Sequence, residues 1–454
     1  MRLRLEIALG RAAGRLSRLA GRGGGTTLPG KLLVTVDREA VSRLAARLPL
    51  GSALLSATNG KTTTAALAVE ILTPNTRLAH NRSGANLMSG LASALIDARS
   101  AELGLFEVDE AALPEAAVRI RPRAVCLGNL FRDQLDRYGE LEVTADRWRA
   151  AVRSLPAETR LVVNADDPVV ADLATERPNS VTFGVDDPAQ ARPALQHAAD
   201  SKYCLRCGRP YEYPAAYVGH LGDYRCPACG HARPPLDVSA RAIQLRGLDG
   251  SDFDLAFPEE THRVRLPLPG LYNVYNALAA AALTLELGSS PAEIVAGLER
   301  AAPAFGRFER IAIDGQTLLM LLIKNPAGAN EAVHTLLEGS APRIAVIALN
   351  DGIADGRDVS WIWDVDFEPL VAGFDRLVAT GDRAAELALR FLYGGLSEQA
   401  IEVVPSLEQA LDRGLDLTDP GAELVVLPTY TAMLALRSIV TRRGYVRPYW
   451  EQAA

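Results

Sequence analysis

Lysine is scarce in this sequence, although basic residues are not. The 454 residues contain 48 lysines and arginines together, and only four of these are lysines, at positions 31, 61, 202 and 324. Ammonium and guanidinium groups differ in shape, hydration and pKa range, so such a chain keeps lysine mainly where the ammonium itself matters. Lys61 and Lys324 both fall inside motifs, and we therefore expect both to act in the chemistry.

Long apolar runs and a net positive charge are also missing. No segment approaches the ~20 apolar residues of a membrane-spanning helix, and the net charge is −7 at pH 7 with both signs mixed along the chain. Proteins need a broad basic field to neutralise nucleic-acid phosphates, so we expect no nucleic-acid partner. The length exceeds what one hydrophobic core supports, and two or three domains are expected.

The first 30 residues are an exception to this mixture of charges. They hold one acid, Glu6, and arginines at positions 2, 4, 11, 15, 18 and 22, with Leu, Ile and Ala between them. Such a basic amphipathic stretch fits weak docking on an anionic membrane leaflet, and it also fits a solvated helix with an arginine-rich face. It lacks the apolar run of a signal peptide. We expect a cytoplasmic protein, peripheral at the inner face of the cytoplasmic membrane if the first alternative holds.

Short β-rich runs alternate with helix-length amphipathic segments along most of the chain. This alternation predicts an α/β fold in which helices cover parallel sheets. We expect an N-terminal arm at 1–30, a central domain at 31–311 with an insertion at 202–232, and a Rossmann-like C-terminal α/β domain at 312–454. The predicted strands are 53–56, 103–108, 124–127, 160–163, 318–323, 344–349, 377–379 and 424–427.

The strongest catalytic signal is a turn between a buried strand and a helix, at residues 57–64 (Ala-Thr-Asn-Gly-Lys-Thr-Thr-Thr). Backbone amides of such a turn can cradle phosphate, Lys61 can reach the β- and γ-phosphates, and the Thr62 hydroxyl can bind Mg²⁺. The general phosphate-loop pattern has glycine where this chain has Leu55, so the loop is a variant. The predicted nucleotide-binding residues are Thr58, Asn59, Gly60, Lys61, Thr62 and Thr63.

Four cysteines in two Cys-x-x-Cys pairs are the second strong signal. Paired knuckles at this spacing supply four thiolates to a tetrahedral Zn²⁺, and Gly208 and Gly230 let the backbone turn beneath the metal. A redox or disulfide role is disfavoured in a reducing cytoplasm. A closed four-sulfur site leaves no open position for water, so we predict a structural zinc ribbon, whereas the fifth cysteine, Cys126, is predicted to be a core residue. The predicted zinc ligands are Cys204, Cys207, Cys226 and Cys229.

The variant loop resembles the ATP loop of the Mur ligases and folylpolyglutamate synthases, which form amide bonds through an acyl phosphate, with Ala57 standing where many members have glycine. The resemblance implies ATP as the nucleotide. Residues 106–110 (Phe-Glu-Val-Asp-Glu) end a strand where this family keeps an acidic magnesium ligand. The resemblance therefore implies Glu107 as that ligand and as a catalytic residue, with Asp109 or Glu110 as alternatives. A solvated acidic turn is the other interpretation.

Further segments follow the order of the Mur ligase family. Gln134 stands where typical members have a metal-side histidine, and no lysine is available between positions 61 and 202 for the carbamylated lysine that many members use. Asn273 and Asn276 resemble the pair that contacts adenine, although asparagines at a helix start are more often caps. Residues 306–310 resemble the family's Gly-Arg-x-Glu hinge, which implies that Arg307 approaches phosphate.

The C-terminal half resembles the MurT group within this family, and so does a four-cysteine insertion in the central domain. The resemblance implies a heterodimer with a GatD-type glutaminase, and amidation of the α-carboxyl of D-isoglutamate in lipid II at the inner membrane surface. It also implies catalytic roles for Lys324 and Asp355, with Asp351 or Asp358 in place of Asp355; a solvated turn remains an alternative for these aspartates. The matching segments are 324–331, 349–364, 379–383 and 427–433.

Three other functions remain open from the sequence. A ligase of the Mur or folylpolyglutamate synthase type would add an amino acid instead of ammonia and would need no glutaminase. A nucleotide-driven protein that binds nucleic acid through its zinc ribbon would require a more basic surface. A non-enzymatic scaffold for the glutaminase would bind ATP weakly or not at all.

Overall fold

In the described part of the computed structural model, the strands form two mostly parallel β-sheets and a separate β-hairpin. The structure describes residues 27–81, 85–98, 100–133, 141–177, 179–196, 199–302, 306–339 and 343–447. The predicted basic arm lies outside these residues except for positions 27–30, and Gln134 lies outside them as well. Neither of these two predictions is tested by the structure.

The first sheet carries the predicted nucleotide loop. The parallel strands at its centre are buried on both sides, which explains why they read as continuous apolar runs. Their order is β11-β10-β9-β6-β5-β4-β1-β3-β2. Strand β10 is antiparallel to both of its neighbours, β9 and β11, and the other neighbouring pairs of described strands in this sheet are parallel. The bounds are β1 Ser52–Ser56, β2 Leu78–His80, β3 Leu103–Glu107, β4 Ala124–Leu127, β5 Arg160–Asn164, β6 Ser180–Val185, β9 Val238–Leu245, β10 Ser251–Ala256 and β11 Thr261–Leu266.

The second sheet lies in the C-terminal third of the chain. Its order is β12-β13-β17-β14-β15-β16, with β12 antiparallel to β13 and the remaining neighbours parallel. The carboxyl ends of these parallel strands meet at one edge, where Rossmann-like folds usually place their sites. The bounds are β12 Phe308–Ile313, β13 Gln316–Leu321, β14 Ile344–Ala348, β15 Arg376–Thr380, β16 Ile401–Val403 and β17 Glu423–Pro428.

Helices cover both sheets, as the alternating pattern predicts. Short 3₁₀ turns lie at Ala174–Glu176, Pro188–Gln190, Gly247–Asp249, Ser360–Asp364 and Glu398–Ala400. Among the described residues, no helix is both long enough and apolar enough to cross a membrane. The α-helices are Leu28–Val36, Ala40–Ala45, Lys61–Leu72, Met88–Asp97, Leu113–Ile120, Leu141–Ser154, Pro168–Leu173, Leu271–Glu286, Pro291–Glu299, Pro326–Leu337, Glu368–Val371, Ala384–Tyr393, Leu407–Leu417 and Tyr430–Arg442.

Separate apolar layers cover the two faces of the first sheet. Helix Leu271–Glu286 is rich in alanine and packs closely on one face beside helix Lys61–Leu72. Trp148 is fully buried in the layer on the other face, and its indole N–H donates to the carbonyl oxygen of Glu110 at 3.0 Å. Removing a buried tryptophan side chain typically lowers the free energy of unfolding by about 3–5 kcal/mol. Because Trp148 is held this firmly in the core, its hydrogen bond fixes the position of the turn that carries Glu110.

The cysteine-rich segment forms a hairpin outside the two large sheets, as expected for an insertion. Strand β7 (Glu212–Val218) pairs with β8 (Leu221–Arg225) in antiparallel register. The structure also confirms the eight predicted strands to within two residues at each end. Residue 312, where we expected the C-terminal domain to start, lies inside β12, so the second sheet already begins at Phe308.

Candidate active site

The predicted nucleotide loop lies where β1 ends and helix Lys61–Leu72 begins. Gly60 has a φ of +87°, a left-handed conformation that residues with side chains rarely adopt. A Cβ at Gly60 would also lie 1.9 Å from Oδ1 of Asn276, so a larger residue does not fit. The turn therefore leads into a helix N-terminus whose first N–H groups can bind an anion such as phosphate.

Lys61 is buried at this turn and forms an ion pair with Glu110, with 2.7 Å between Nζ and Oε2. Its ammonium also donates to the carbonyl oxygens of Ala57 and Thr58. Burial alone lowers the pKa of Lys61, but the carboxylates of Glu110 and Glu107 outweigh burial and raise it. The ammonium is therefore held in its charged form, with Glu110 as its direct partner.

The Glu107 carboxylate lies at the end of β3, beside the first turn of the loop helix. Thr62 Oγ1 donates a hydrogen bond of 3.1 Å to Glu107 Oε1. Neighbouring oxygens of an octahedral Mg²⁺ site lie about 2.9 Å apart, given Mg–O bonds of roughly 2.0–2.1 Å. Burial raises the pKa of Glu107, although the charges of Lys61 and Arg307 oppose this rise. Thr62 and Glu107 thus have the chemistry and spacing of two adjacent magnesium ligands.

Two basic side chains reach the loop from the C-terminal part of the chain. Lys324 follows β13, and its Nζ donates to the carbonyl oxygen of Thr58 at 2.9 Å and to Asp133 Oδ2 at 2.7 Å. Arg307 donates to Thr62 Oγ1 at 3.3 Å. These two cations border the loop on the side that faces the second sheet, where they could meet the phosphates of a nucleotide.

Asn59 is held by two other asparagines. Its side chain and that of Asn325 exchange amide hydrogen bonds of 3.2 and 3.0 Å. Its backbone N–H donates to Asn129 Oδ1 at 2.9 Å, and Asn129 Nδ2 donates back to the carbonyl oxygen of Asn59 at 3.1 Å. Neither Asn129 nor Asn325 could be predicted to act here, since both contacts join residues distant in the chain.

The two asparagines predicted to contact adenine lie behind the loop. Asn273 and Asn276 are both buried, and Asn276 Nδ2 donates to Asn273 Oδ1 at 2.9 Å. Asn276 Oδ1 accepts from the hydroxyl of Thr64 at 3.3 Å, and Asn273 donates to the carbonyl oxygen of Pro269. Through the bond to Thr64, the pair therefore stabilises the nucleotide loop from the buried side. The adenine contact stays a prediction.

Asp355 lies near the carboxyl edge of the second sheet, as Lys324 does, but in a separate cluster. It is 5% exposed, and its carboxylate accepts hydrogen bonds from the N–H and hydroxyl of Thr431. Burial raises the pKa of Asp355, although these hydrogen bonds oppose the rise. Within the described residues, Asp355 has no hydrogen bond or ion pair with the nucleotide loop.

The two alternatives to Asp355 have local partners. Asp351 lies 3.2 Å from a guanidinium nitrogen of Arg383. Asp358 accepts a hydrogen bond of 2.9 Å from the backbone N–H of Ser360, the first residue of a 3₁₀ turn. The first contact is an ion pair and the second is ordinary turn chemistry, and Asp355 is the buried carboxylate of this loop.

The four predicted metal ligands come together at the base of the hairpin. Their sulfur atoms all lie within 4.8 Å of one another. Two of the separations are 3.5 Å and 3.4 Å, close to the roughly 3.8 Å edge of a tetrahedral site with 2.3 Å Zn–S bonds. Both knuckles close with the same backbone hydrogen bond, from Gly208 to Cys204 and from Gly230 to Cys226. The donors therefore fit a four-coordinate soft metal.

Comparison with known proteins agrees with this geometry. Residues 56–212 match the family model of the Mur ligase middle domain, and residues 322–433 match that of the MurT ligase C-terminal domain. The chain is 33% identical, over 98% of its length and 99% of the other, to the lipid II isoglutaminyl synthase (glutamine-hydrolyzing) subunit MurT of Streptococcus pneumoniae (strain ATCC BAA-255 / R6). The subunit of the same name from Staphylococcus aureus (strain N315) is 31% identical over 97% and 98% of the two chains.

Solved structures point to the same fold. A pseudomurein peptide ligase type C from Methanothermus fervidus superposes with a TM-score of 0.71 at 20% identity, over 89% of this chain and 81% of that one. The architecture is that of a Mur ligase, a class of ATP-dependent ligases, as the resemblance predicted. The matches over nearly the whole sequence narrow this class further, and the chain belongs to the MurT family.

Proposed function

We propose that this protein amidates the α-carboxyl of D-isoglutamate in lipid II, using ATP and ammonia from a GatD-type glutaminase with which it forms a heterodimer. The observation that carries the proposal is the enclosed nucleotide loop, in which Lys61, Thr62 and Glu107 meet Arg307 and Lys324 from the C-terminal part of the chain. The names of the full-length relatives support lipid II as the substrate and an isoglutaminyl product.

The reaction would proceed in two substitutions. A carboxylate oxygen of the substrate attacks the γ-phosphorus of ATP, and ADP leaves with the electron pair of the broken P–O bond. Ammonia then attacks the carbonyl carbon of the acyl phosphate, a proton is lost, and inorganic phosphate leaves. Lys61 and Arg307 would stabilise the negative charge on the transferring phosphoryl group. Mg²⁺ held by Thr62 and Glu107 would neutralise further phosphate charge.

Lys324 would act on the lipid II carboxylate or the transferred phosphate, and Asp355 on the supply of ammonia. The ammonium of Lys324 lies at the loop, where it would orient the substrate carboxylate or the transferred phosphate. Asp355 lies apart from the loop, near the edge of the second sheet, where its carboxylate would pair with a histidine of the glutaminase or guide ammonia towards the nucleotide loop. The buried carboxylate and its raised pKa support a functional role, since perturbed groups concentrate at functional sites.

The four-cysteine cluster would hold a structural Zn²⁺. Four sulfur donors at these separations leave no open coordination position, so the metal would stabilise the insertion without touching substrate. The proposal also includes a central domain from residue 31 that carries the insertion at 202–232, and a C-terminal domain that begins with the second sheet. Peripheral binding of the N-terminal arm to the inner membrane leaflet would bring the site to the lipid-linked substrate.

Mass spectrometry of lipid II tests the proposal directly. The protein is incubated with lipid II, Mg-ATP and glutamine, with and without its cognate glutaminase. We expect a loss of about 1 Da per amidated carboxyl, the mass difference between OH and NH₂, and only when both proteins and ATP are present. An added amino acid without any need for the glutaminase would instead establish the amino-acid-adding ligase. Unchanged amidation by a Lys61→Ala variant would refute the role of the loop.

A further inference from the structure

The tip of the four-cysteine insertion contacts the residues that follow β4, at 129–133, which we call the loop-support segment. His220 lies at this tip, between β7 and β8, and is completely buried. Its ring centroid is 4.6 Å from that of Phe131. A Cβ at Gly219 would lie 2.7 Å from Cε1 of Phe131, so the hairpin backbone could not approach this closely with a larger residue.

Both ring nitrogens of His220 face carboxylate-bearing residues that hold the same segment. Nδ1 accepts a hydrogen bond of 3.3 Å from the N–H of Asp200, whose carboxylate accepts one of 2.9 Å from the N–H of Arg132. Nε2 lies 3.4 Å from Oδ2 of Asp167, which accepts a hydrogen bond of 2.8 Å from the N–H of Leu130. His220 therefore lies between Asp200 and Asp167, whose carboxylates fix the backbone of the loop-support segment. Its one hydrogen bond among the described residues is to the N–H of Asp200, and its Nε2 faces the Asp167 carboxylate without a hydrogen bond.

The loop-support segment is bonded in turn to the nucleotide loop. The N–H of Phe131 donates to Thr58 Oγ1 at 3.1 Å, and this hydroxyl donates to the carbonyl oxygen of Phe131 at 3.3 Å. The N–H of Thr58 also donates to the carbonyl oxygen of Asn129 at 2.9 Å. The carbonyl oxygen of Thr58 accepts from the ammonium groups of both Lys61 and Lys324. A shift of Phe131 would consequently displace the oxygen that both lysines share.

We propose that His220 is a positioning residue, which acts through Phe131 on Thr58 and thereby sets the geometry of the nucleotide loop. Close-packed interiors transmit such displacements, and hydrogen bonds weaken steeply when their geometry is distorted. The four-cysteine insertion then stabilises the nucleotide loop in addition to forming its own hairpin. This inference rests on the proposed function in one respect, since it takes the loop as the ATP site.

The test compares substitutions of His220 with a control in the same hairpin. His220→Phe keeps a ring against Phe131 but loses both polar contacts. His220→Gln can still accept from the N–H of Asp200, and its amide can place an N–H group near the Asp167 carboxylate. Tyr224→Phe is the matched control, because this buried tyrosine lies on β8 and its hydroxyl has no hydrogen-bond partner in the described structure. Bound metal and the melting temperature are measured first for every variant.

Affinity for Mg-ADP is then measured by calorimetry, and KM for ATP and kcat in the lipid II amidation assay with the glutaminase present. We expect His220→Phe to weaken Mg-ADP binding and raise KM for ATP about tenfold, the effect of losing one hydrogen bond. Metal content should stay at the wild-type level, and kcat should change much less than KM. His220→Gln should recover most of the affinity, and Tyr224→Phe should match wild type.

Wild-type affinity and KM in a folded His220→Phe variant would overturn the inference. If that variant fails to fold, Phe131→Leu carries the test, because it removes the ring contact from the other side and leaves the hairpin intact. Reduced Mg-ADP affinity with full metal content in Phe131→Leu supports the inference, and unchanged affinity overturns it. Failure of wild-type protein to bind Mg-ADP at all would instead refute the nucleotide site itself, and with it the proposed function.

Discussion

Removing Lys61 should destabilise the protein through the charge it leaves behind. Lys61 and Glu110 are each about 9% exposed in their side chains and are 2.7 Å apart. Breaking such a buried pair from one side costs about 3–5 kcal/mol, because the remaining charge has lost its partner. For a domain of this size that loss lowers the melting temperature on the order of 10 °C. Removing both charges together should cost much less.

The assay is a double-mutant cycle with wild type, Lys61→Met, Glu110→Gln and the double variant, each melted without nucleotide. We expect a coupling free energy of at least about 2 kcal/mol, with the double variant more stable than either single variant. Activity should be lost in Lys61→Met and should not return in the double variant, since no ammonium then reaches the phosphates. Stability and catalysis are thereby separated within one set of proteins.

The pH dependence of this cycle gives a second check. In wild type, burial alone would raise the pKa of Glu110, but the charges of Lys61 and Lys324 outweigh it and hold that pKa below 4.5. Without Lys61, burial should raise the pKa of Glu110 above its unfolded value. The destabilisation of Lys61→Met should therefore be small at low pH and grow as pH rises. Additive single effects, or a destabilisation that shrinks as pH rises, would refute the reasoning.

Three further predictions concern the acidic, metal and C-terminal sites. Burial raises the pKa of Glu107, so the protonated Glu107 side chain contributes its full stability below pH 4.5, and this stability is lost as pH rises. Metal-free Glu107→Gln should therefore have the melting temperature of wild type near pH 4 and a higher one at pH 8. Cys204→Ser should lose bound zinc, measured by elemental mass spectrometry, and full metal content would contradict a four-sulfur site. Asp355→Asn should bind Mg-ADP as wild type does but lose at least about 100-fold in glutamine-dependent amidation, and wild-type amidation would exclude its role.

The fold followed from the sequence wherever strands are buried on both faces. Strands such as Ser52–Ser56 and Glu423–Pro428 read as short apolar runs between turns, which is the pattern of a central parallel strand. The antiparallel part of the first sheet, Val238–Leu266, was missed. Strand Val238–Leu245 has two consecutive exposed residues, Arg241 and Ala242, where its register against Asp252 and Asp254 shifts, and this bulge hides the period of two.

The candidate site was predictable only as far as its motifs are contiguous. The loop could be recognised because strand, turn and helix follow one another along the chain. The partner of Lys61 could not be chosen, because Glu107, Asp109 and Glu110 lie within four residues and the choice depends on how Trp148 fixes the turn. His220 carries no local signal at all, since its importance arises from packing against a segment almost ninety positions away.

The close approach of Asn276 to Gly60 has a consequence for engineering this loop. A left-handed glycine can often be replaced by asparagine, which tolerates that conformation better than most residues. At Gly60 the space is restricted as well as the backbone conformation, because any Cβ would collide with the Asn276 amide. The loop and the start of helix Leu271–Glu286 therefore form one transferable unit. A nucleotide loop grafted from another ligase would have to keep glycine at this position or bring its own helix start with it.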